Sequence, residues 1–211
     1  MSEKKLGYDD AYSLKTPEDS KKLYKKWAKT YDNDFALNSN YLSPLKISSF
    51  FNKHSKITDT PILDIGAGTG LVGEYLFKSG NKKIIGIDIS SEMLKQAKLK
   101  GCYSSLMEAD VTKKIPLNSN SIGAIVSAGT FTHGHVGPDV FDELIRIIKP
   151  GGLFVLSINS KVFIKAGFQE KFLRIKNSIS VPTFIKFKAH GENKDKKFNE
   201  IIIFASIFRK K

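Results

Sequence analysis

Three carboxylates and a run of glycines hold most of the chemistry open to this sequence. Asp64 interrupts an apolar stretch at 62–65, Asp88 closes a second at 84–88, and Asp110 follows a third at 104–107; Gly66-Ala67-Gly68-Thr69-Gly70 comes directly after the first. Glycines spaced by two let the backbone turn tightly and approach a ligand, while the amides that open the next helix face it. A carboxylate suits vicinal hydroxyl donors. Together they predict a site for a nucleotide-like ligand. Gly68-Thr69-Gly70-Leu71-Val72-Gly73 also satisfies the G-x-G-x-x-G dinucleotide spacing, with Asp88 a suitable distance beyond it. The register counts against that reading, because the strand ends at Ile65 and the turn therefore starts at Gly66, as Gly-x-Gly-x-Gly. No Gly-Lys-Ser/Thr follows, which excludes a phosphate-cradling loop.

Two histidines offer acid–base chemistry. His133 and His135 lie in a glycine-broken loop after the fourth predicted strand, at the carboxyl edge where an open α/β sheet places its substrates. They are the candidate general bases, with Asp139 as an alternative partner at the start of the next helix. One residue apart and with no third ligand nearby, they do not make a metal site. His54 and His190 have no comparable placement.

These residues need elements to hold them. Residues 1–19 are polar, and Ser20 is placed to cap a helix carrying Leu23, Trp27 and Tyr31 at helical spacing; a second helix is predicted over 41–51. Strands follow at 62–65, 84–88, 104–107, 122–127 and 153–158. Helices between them carry Leu71, Tyr75 and Leu76, then Met93, Leu94 and Ala97 after the cap residues Ser90 and Ser91, then 138–148. Such βαβ repetition with helical crossovers predicts a mostly parallel sheet. Beyond Asn159 a helix over 162–174 precedes extended stretches at 179–187 and 199–209. The loop composition of 191–197 between them makes an antiparallel hairpin at the sheet edge the simplest arrangement. The fold predicted is α/β: a Rossmann-like, seven-stranded, mostly parallel sheet with a terminal antiparallel hairpin and helices on both faces. One domain spans 20–211, with lid helices at 20–55.

Composition bounds the partners. The chain has 211 residues, 41% of them hydrophobic, enough for one full core. With a single cysteine, no apolar stretch approaching 18 residues and no apolar N-terminal region, the sequence predicts a cytoplasmic protein without membrane insertion. The formal charge is +13, yet only Arg146, Arg174 and Arg209 among 34 basic residues are arginines. Sites that read phosphates lean on the bidentate arginine fork, so a solvated lysine surface is the reading.

Leu63-Asp64-Ile65-Gly66-Ala67-Gly68-Thr69-Gly70, Gly86-Ile87-Asp88-Ile89-Ser90, Glu108-Ala109-Asp110 and Lys149-Pro150-Gly151-Gly152 are similar, in order and spacing, to the four signature segments of class I S-adenosylmethionine-dependent methyltransferases. The stretches at 24–32 and 129–136 resemble the small methyltransferase-like group that includes the Williams-Beuren region protein. The resemblance implies that Gly66, Ala67, Gly68 and Gly70 line the methionine part of the cofactor, with Asp64 toward its ammonium. Asp88 would accept from both ribose hydroxyls and Asp110 from the adenine amine. Val111 or Ala109 would meet the ring edge, Ile89 and Met93 its faces, and Ser127 with Ala128 the methylthio end. Tyr31 or Asp32 would touch cofactor or substrate. Tyr24, Trp27 and Tyr41 from the lid, with Thr130 and Phe131 after strand four, are the candidate substrate wall. A small-molecule acceptor is the reading: there is no added RNA-binding module, no Asn/Asp-Pro-Pro-Tyr/Phe segment after strand four, and no Pro-Cys nucleophile. The alternatives are RNA or protein methylation, and a noncatalytic cofactor-binding interaction protein.

Overall fold

A computed structural model describes residues 6, 10, 14, 16–132 and 136–211. Helix α1 (Pro17–Trp27) has its start written in Thr16-Pro17-Glu18-Asp19: the Thr16 side chain accepts from the Asp19 amide and the Asp19 carboxylate accepts from the Thr16 amide. That reciprocal cap, with Pro17 in the first turn, sets the boundary. Ser20 is therefore not the cap; it lies one turn inside and is buried. A π-helical turn, Asp32–Leu37, and α2 (Ser43–His54) complete the N-terminal layer.

The sheet follows as β1 (Ile62–Ile65), β2 (Ile84–Asp88), β3 (Ser105–Glu108), β4 (Ile122–Phe131), β5 (Ile148–Asn159), β6 (Thr183–Lys188) and β7 (Ile202–Arg209). Helices α3 (Leu71–Lys78), α4 (Ser91–Leu99) and α5 (Val140–Ile147) link the parallel strands, the short α6 (Ser160–Phe163) and α7 (Phe168–Arg174) precede β6, and α8 (Lys196–Asn199) lies between β6 and β7. Strand order is 3-2-1-4-5-7-6, parallel from β3 to β5, with β7 antiparallel to both β5 and β6. This is the predicted seven-stranded sheet with its closing hairpin.

Period-two alternation divides the core between two faces. Leu63, Ile65, Ile87, Ile125 and Phe154 pack with Phe141, Leu144 and Ile147 of α5 on one side. On the other, Ile62, Ile84, Ala124, Val126 and Val155 meet Ile47 and Phe51 of α2 and Val72 and Leu76 of α3. Val72 takes the inward place on α3, because Leu71 and Tyr75 are only half-buried.

Several boundaries differ from the sequence reading. The helix predicted over 162–174 is two, separated by Gly167 at φ +83°, a left-handed conformation that favours glycine. The loop predicted at 191–197 runs into α8, started by Asp195 accepting from the Lys197 amide. Strand β4 continues to Phe131 with a register shift, since the step from Ser127 to Phe131 is matched by Leu156 to Ile158 on β5. The bulge lifts Ala128, Gly129 and Thr130 out of the ladder at the carboxyl edge.

Candidate functional site

The strands β1, β2 and β4 end at a cleft of about 960 Å3, counted out to its mouth. Gly66, Ala67, Gly68 and Thr69 form its floor, Asp88, Ile89, Met93, Ala109, Asp110 and Val111 one wall, and Ala128, Gly129 and Thr130 the other. Tyr24, Tyr31 and Tyr41 come over from the N-terminal layer.

The glycines do different work. A Cβ on Gly66 would stand 2.1 Å from Thr130 Oγ1, itself held by donating to the Ile65 carbonyl at 2.9 Å. A Cβ on Gly68 would meet nothing nearer than the Gly66 oxygen at 3.9 Å, so the space beside it belongs to the cleft. Gly70 turns away from the cleft: at φ +91° it packs on Ala97 of α4 and on Tyr103.

Asp88 is poised at the turn. Its Oδ2 accepts from the Gly68 amide and its Oδ1 from the Ser90 amide, each at 2.8 Å. Burial pushes its pKa up against those donors. A carboxylate carries about four lone-pair sites, so acceptor capacity remains for a hydroxyl donor in the cleft. Ser90 fixes the following helix by accepting from the Met93 amide at 3.3 Å, as the sequence predicts. Asp110 accepts from the Thr112 amide and hydroxyl and keeps its place in the cleft wall.

Asp64 stands apart from that group. It is wholly buried below the glycine turn, where Tyr103 donates to Oδ2 at 2.7 Å while its Oδ1 has no partner among the described residues. Burial drives its pKa up to about 7 despite the Tyr103 bond. Ser127 is also buried, donating to the Ile65 carbonyl at 2.7 Å, so it braces β1 and does not line the cleft. Asp32 ties the N-terminal layer down, accepting from Thr69 and from Lys100, which also reaches Glu74. His133 and His135 lie outside the described residues; Asp139 precedes α5 without a side-chain capping bond.

Trp27 and Phe131 face a second chamber that adjoins the cleft and shares Tyr24, Tyr31, Tyr41 and Gly129 with it. His190 is in its wall, 2% exposed, with Nδ1 3.0 Å from the Ser39 carbonyl oxygen and its ring against Tyr41, Phe35 and Phe198. His190 has no expected place at the site, yet the hairpin expected from the sequence holds the signal. If β7 runs antiparallel to β5 and β6 antiparallel to β7, the end of β6 arrives at the carboxyl edge, and His190 follows Lys188 by two residues. Tyr103 had no such signal. It fills the room left by Gly73 and Gly86, a contact made only by the tertiary fold.

Comparisons with known proteins accord with this geometry. Residues 63–156 match the family model described as a methyltransferase domain. Methyltransferase-like protein 27 of Homo sapiens is 31% identical over 149 residues, 67% of this chain and 59% of that protein. Malonyl-(acyl-carrier protein) O-methyltransferase 2 of Ilyobacter polytropus is 33% identical over 150 residues, 68% of this chain and 56% of that protein. The chain thus spans less than two thirds of either relative's length. A crystal structure of a SAM-dependent methyltransferase from Aquifex aeolicus has the same fold, with a TM-score of 0.60 at 19% identity, covering 88% of this chain and 98% of that one.

Proposed function

This chain carries a domain of the class I S-adenosylmethionine-dependent methyltransferase family, and from that premise we propose that it transfers a methyl group to an oxygen, nitrogen or sulfur nucleophile of a small molecule. The observation that carries this reading is the pairing of the Asp88 cleft with an adjoining aromatic chamber covered by the N-terminal layer.

The residues present fit the cofactor. Asp88 has acceptor capacity for a ribose hydroxyl, the room beside Gly68 is what a side chain would fill, and the unpartnered Oδ1 of Asp64 is a buried carboxylate oxygen suited to an ammonium or to a water bridging to one. Asp110, Val111, Ile89 and Met93 would hold the adenine, and Gly66, Ala67 and Tyr31 the methionine part. S-adenosylmethionine supplies an electrophilic methyl carbon on a sulfonium. The chain's own contribution is alignment of an acceptor with that carbon and exclusion of water. Tyr31 helps with the second task, because burial holds its phenol well above the ordinary pKa and therefore neutral. His133 or His135 would take the proton of a protonated nucleophile.

Charge supports a small acceptor over a nucleic acid. Of the three arginines, Arg209 grips Asp59 through both guanidinium nitrogens and Arg146 pairs with Glu143 at 2.6 Å, so both serve internal carboxylates. Asp88→Ala is the direct test. S-adenosylmethionine affinity measured by calorimetry should fall at least about tenfold, the loss of a charge-assisted hydrogen bond, with the circular dichroism spectrum unchanged. Equal affinity would remove Asp88 from the site.

A further inference from the structure

We propose that the chamber beside the cleft is the acceptor pocket and that it takes a compact, uncharged, planar molecule whose hydroxyl or amine donates a hydrogen bond to His190 Nε2. This rests on the methyl-transfer reading, since the chamber meets the cleft at Tyr31, Tyr41 and Gly129.

Three observations carry it. The walls are aromatic, with Trp27 stacked near Tyr24 at 6.3 Å and edge-on to Tyr31 and Phe35 at 5.1 and 5.4 Å, and among the described residues no Lys, Arg, Asp or Glu lines the chamber. An ionised acceptor would lose its hydration there with no opposite charge to replace it. Next, Trp27 Nε1, Ser43 Oγ and Thr132 Oγ1 have no hydrogen-bond partner among the described residues, and Trp27 and Ser43 are each 1% exposed. Buried polar groups are normally satisfied, so these three await a ligand or water. Lastly, His190 has a defined tautomer. A carbonyl oxygen can only accept, so Nδ1 carries the proton toward Ser39 and Nε2 keeps the lone pair. Burial keeps that ring neutral, holding its pKa down at about 4.

The probes are phenol, toluene and benzoate, titrated into the full chain with S-adenosylhomocysteine present and followed by calorimetry and by the 15N shift of His190 Nε2. Phenol should bind about tenfold tighter than toluene, one hydrogen bond's worth, move the Nε2 resonance and quench Trp27 fluorescence; benzoate should bind at least about tenfold more weakly than phenol. His190→Asn keeps an N–H for the Ser39 carbonyl but lacks Nε2. It should bring phenol to the affinity of toluene and leave toluene unchanged. Phenol no tighter than toluene, benzoate as tight as phenol, or a still Nε2 resonance would each overturn the proposal. So would displacement of phenol by a structured RNA. If His190→Asn does not fold, the resonance in the unmodified protein decides. S-adenosylhomocysteine binding, read separately, distinguishes the two readings: if it fails while phenol binds through His190, methyl transfer falls; if it binds and phenol does not, the acceptor pocket falls.

Discussion

At the scale of single residues, Gly66 and Gly68 separate folding from binding. Alanine at Gly66 must displace Thr130 Oγ1 from 2.1 Å and hold φ near +65°, and overpacking and left-handed strain together cost about 3 kcal/mol. Alanine at Gly68 meets only the strain of φ +55°, roughly 1–2 kcal/mol, but projects into the cleft. Urea unfolding should rank Gly66→Ala the less stable, while calorimetry ranks Gly68→Ala the poorer cofactor binder among folded protein; the reverse order would misassign the floor. Two buried groups give a signed pH dependence. Asp64 rises from 3.8 to about 7 on folding, so the native state holds more protons between about pH 4 and 7 and its stability falls as pH climbs through that interval. His190 drops from 6.5 to about 4, so the unfolded state takes up the proton first and stability falls as pH descends through that window. The two contributions oppose one another over much the same interval, so in thermal melts across pH 4 to 8 Asp64→Asn should make stability rise more steeply with pH between 4 and 7, and His190→Asn should make it fall more steeply. A pH profile unmoved by Asp64→Asn would show that Asp64 is ionised in the native state throughout.

At the scale of elements, α1 is the piece that the cap decides. Thr16→Ala removes an N-cap worth about 1 kcal/mol, and α1 carries Tyr24 and Trp27 into the two cavities. Hydrogen exchange should quicken across 17–27 and leave β1 and β4 protected; uniform acceleration would mean that α1 is part of the global unfolding unit. The cap also shows what was legible in the sequence. Thr16-Pro17-Glu18-Asp19 spelled a capping box, but Ser20 beside the apolar residues was the louder signal and put the start too late. Strands β1 and β2 were readable because each gathers three isoleucine or leucine residues in a run of four or five that ends abruptly at a glycine or a carboxylate. The bulge of β4 and the early start of β5 were not, since a register shift is fixed by the partner strand and not by the residues that carry it. Asp88 could be named from its place at a strand end and Asp64 from its place two residues before the turn, whereas Tyr103, which donates to Asp64, could not be.

At the scale of the whole molecule, the cleft is shared by two parts whose existing ties a ligand would reinforce. The glycine turn and Asp88 belong to the sheet; Tyr24, Tyr31 and Tyr41 belong to the N-terminal layer, which is fastened by the Lys100 bridge to Asp32 and by the Leu42 amide bonding to the Ala189 carbonyl. A ligand that touches both parts must stabilise both. Binding to the native state alone contributes about 2.7 kcal/mol at a hundredfold excess over Kd, which for a chain of this length raises Tm by roughly 5–10 °C. S-adenosylhomocysteine at that excess should produce such a shift, and slow hydrogen exchange at 66–70 and 17–27 together. In Lys100→Met, which cuts the tie to Asp32 and Glu74, the glycine turn should keep its protection on binding while α1 gains less. If α1 gains nothing even in the unmodified protein, the N-terminal layer is not part of the cofactor site. The wall formed by the three tyrosines would then serve the neighbouring chamber alone.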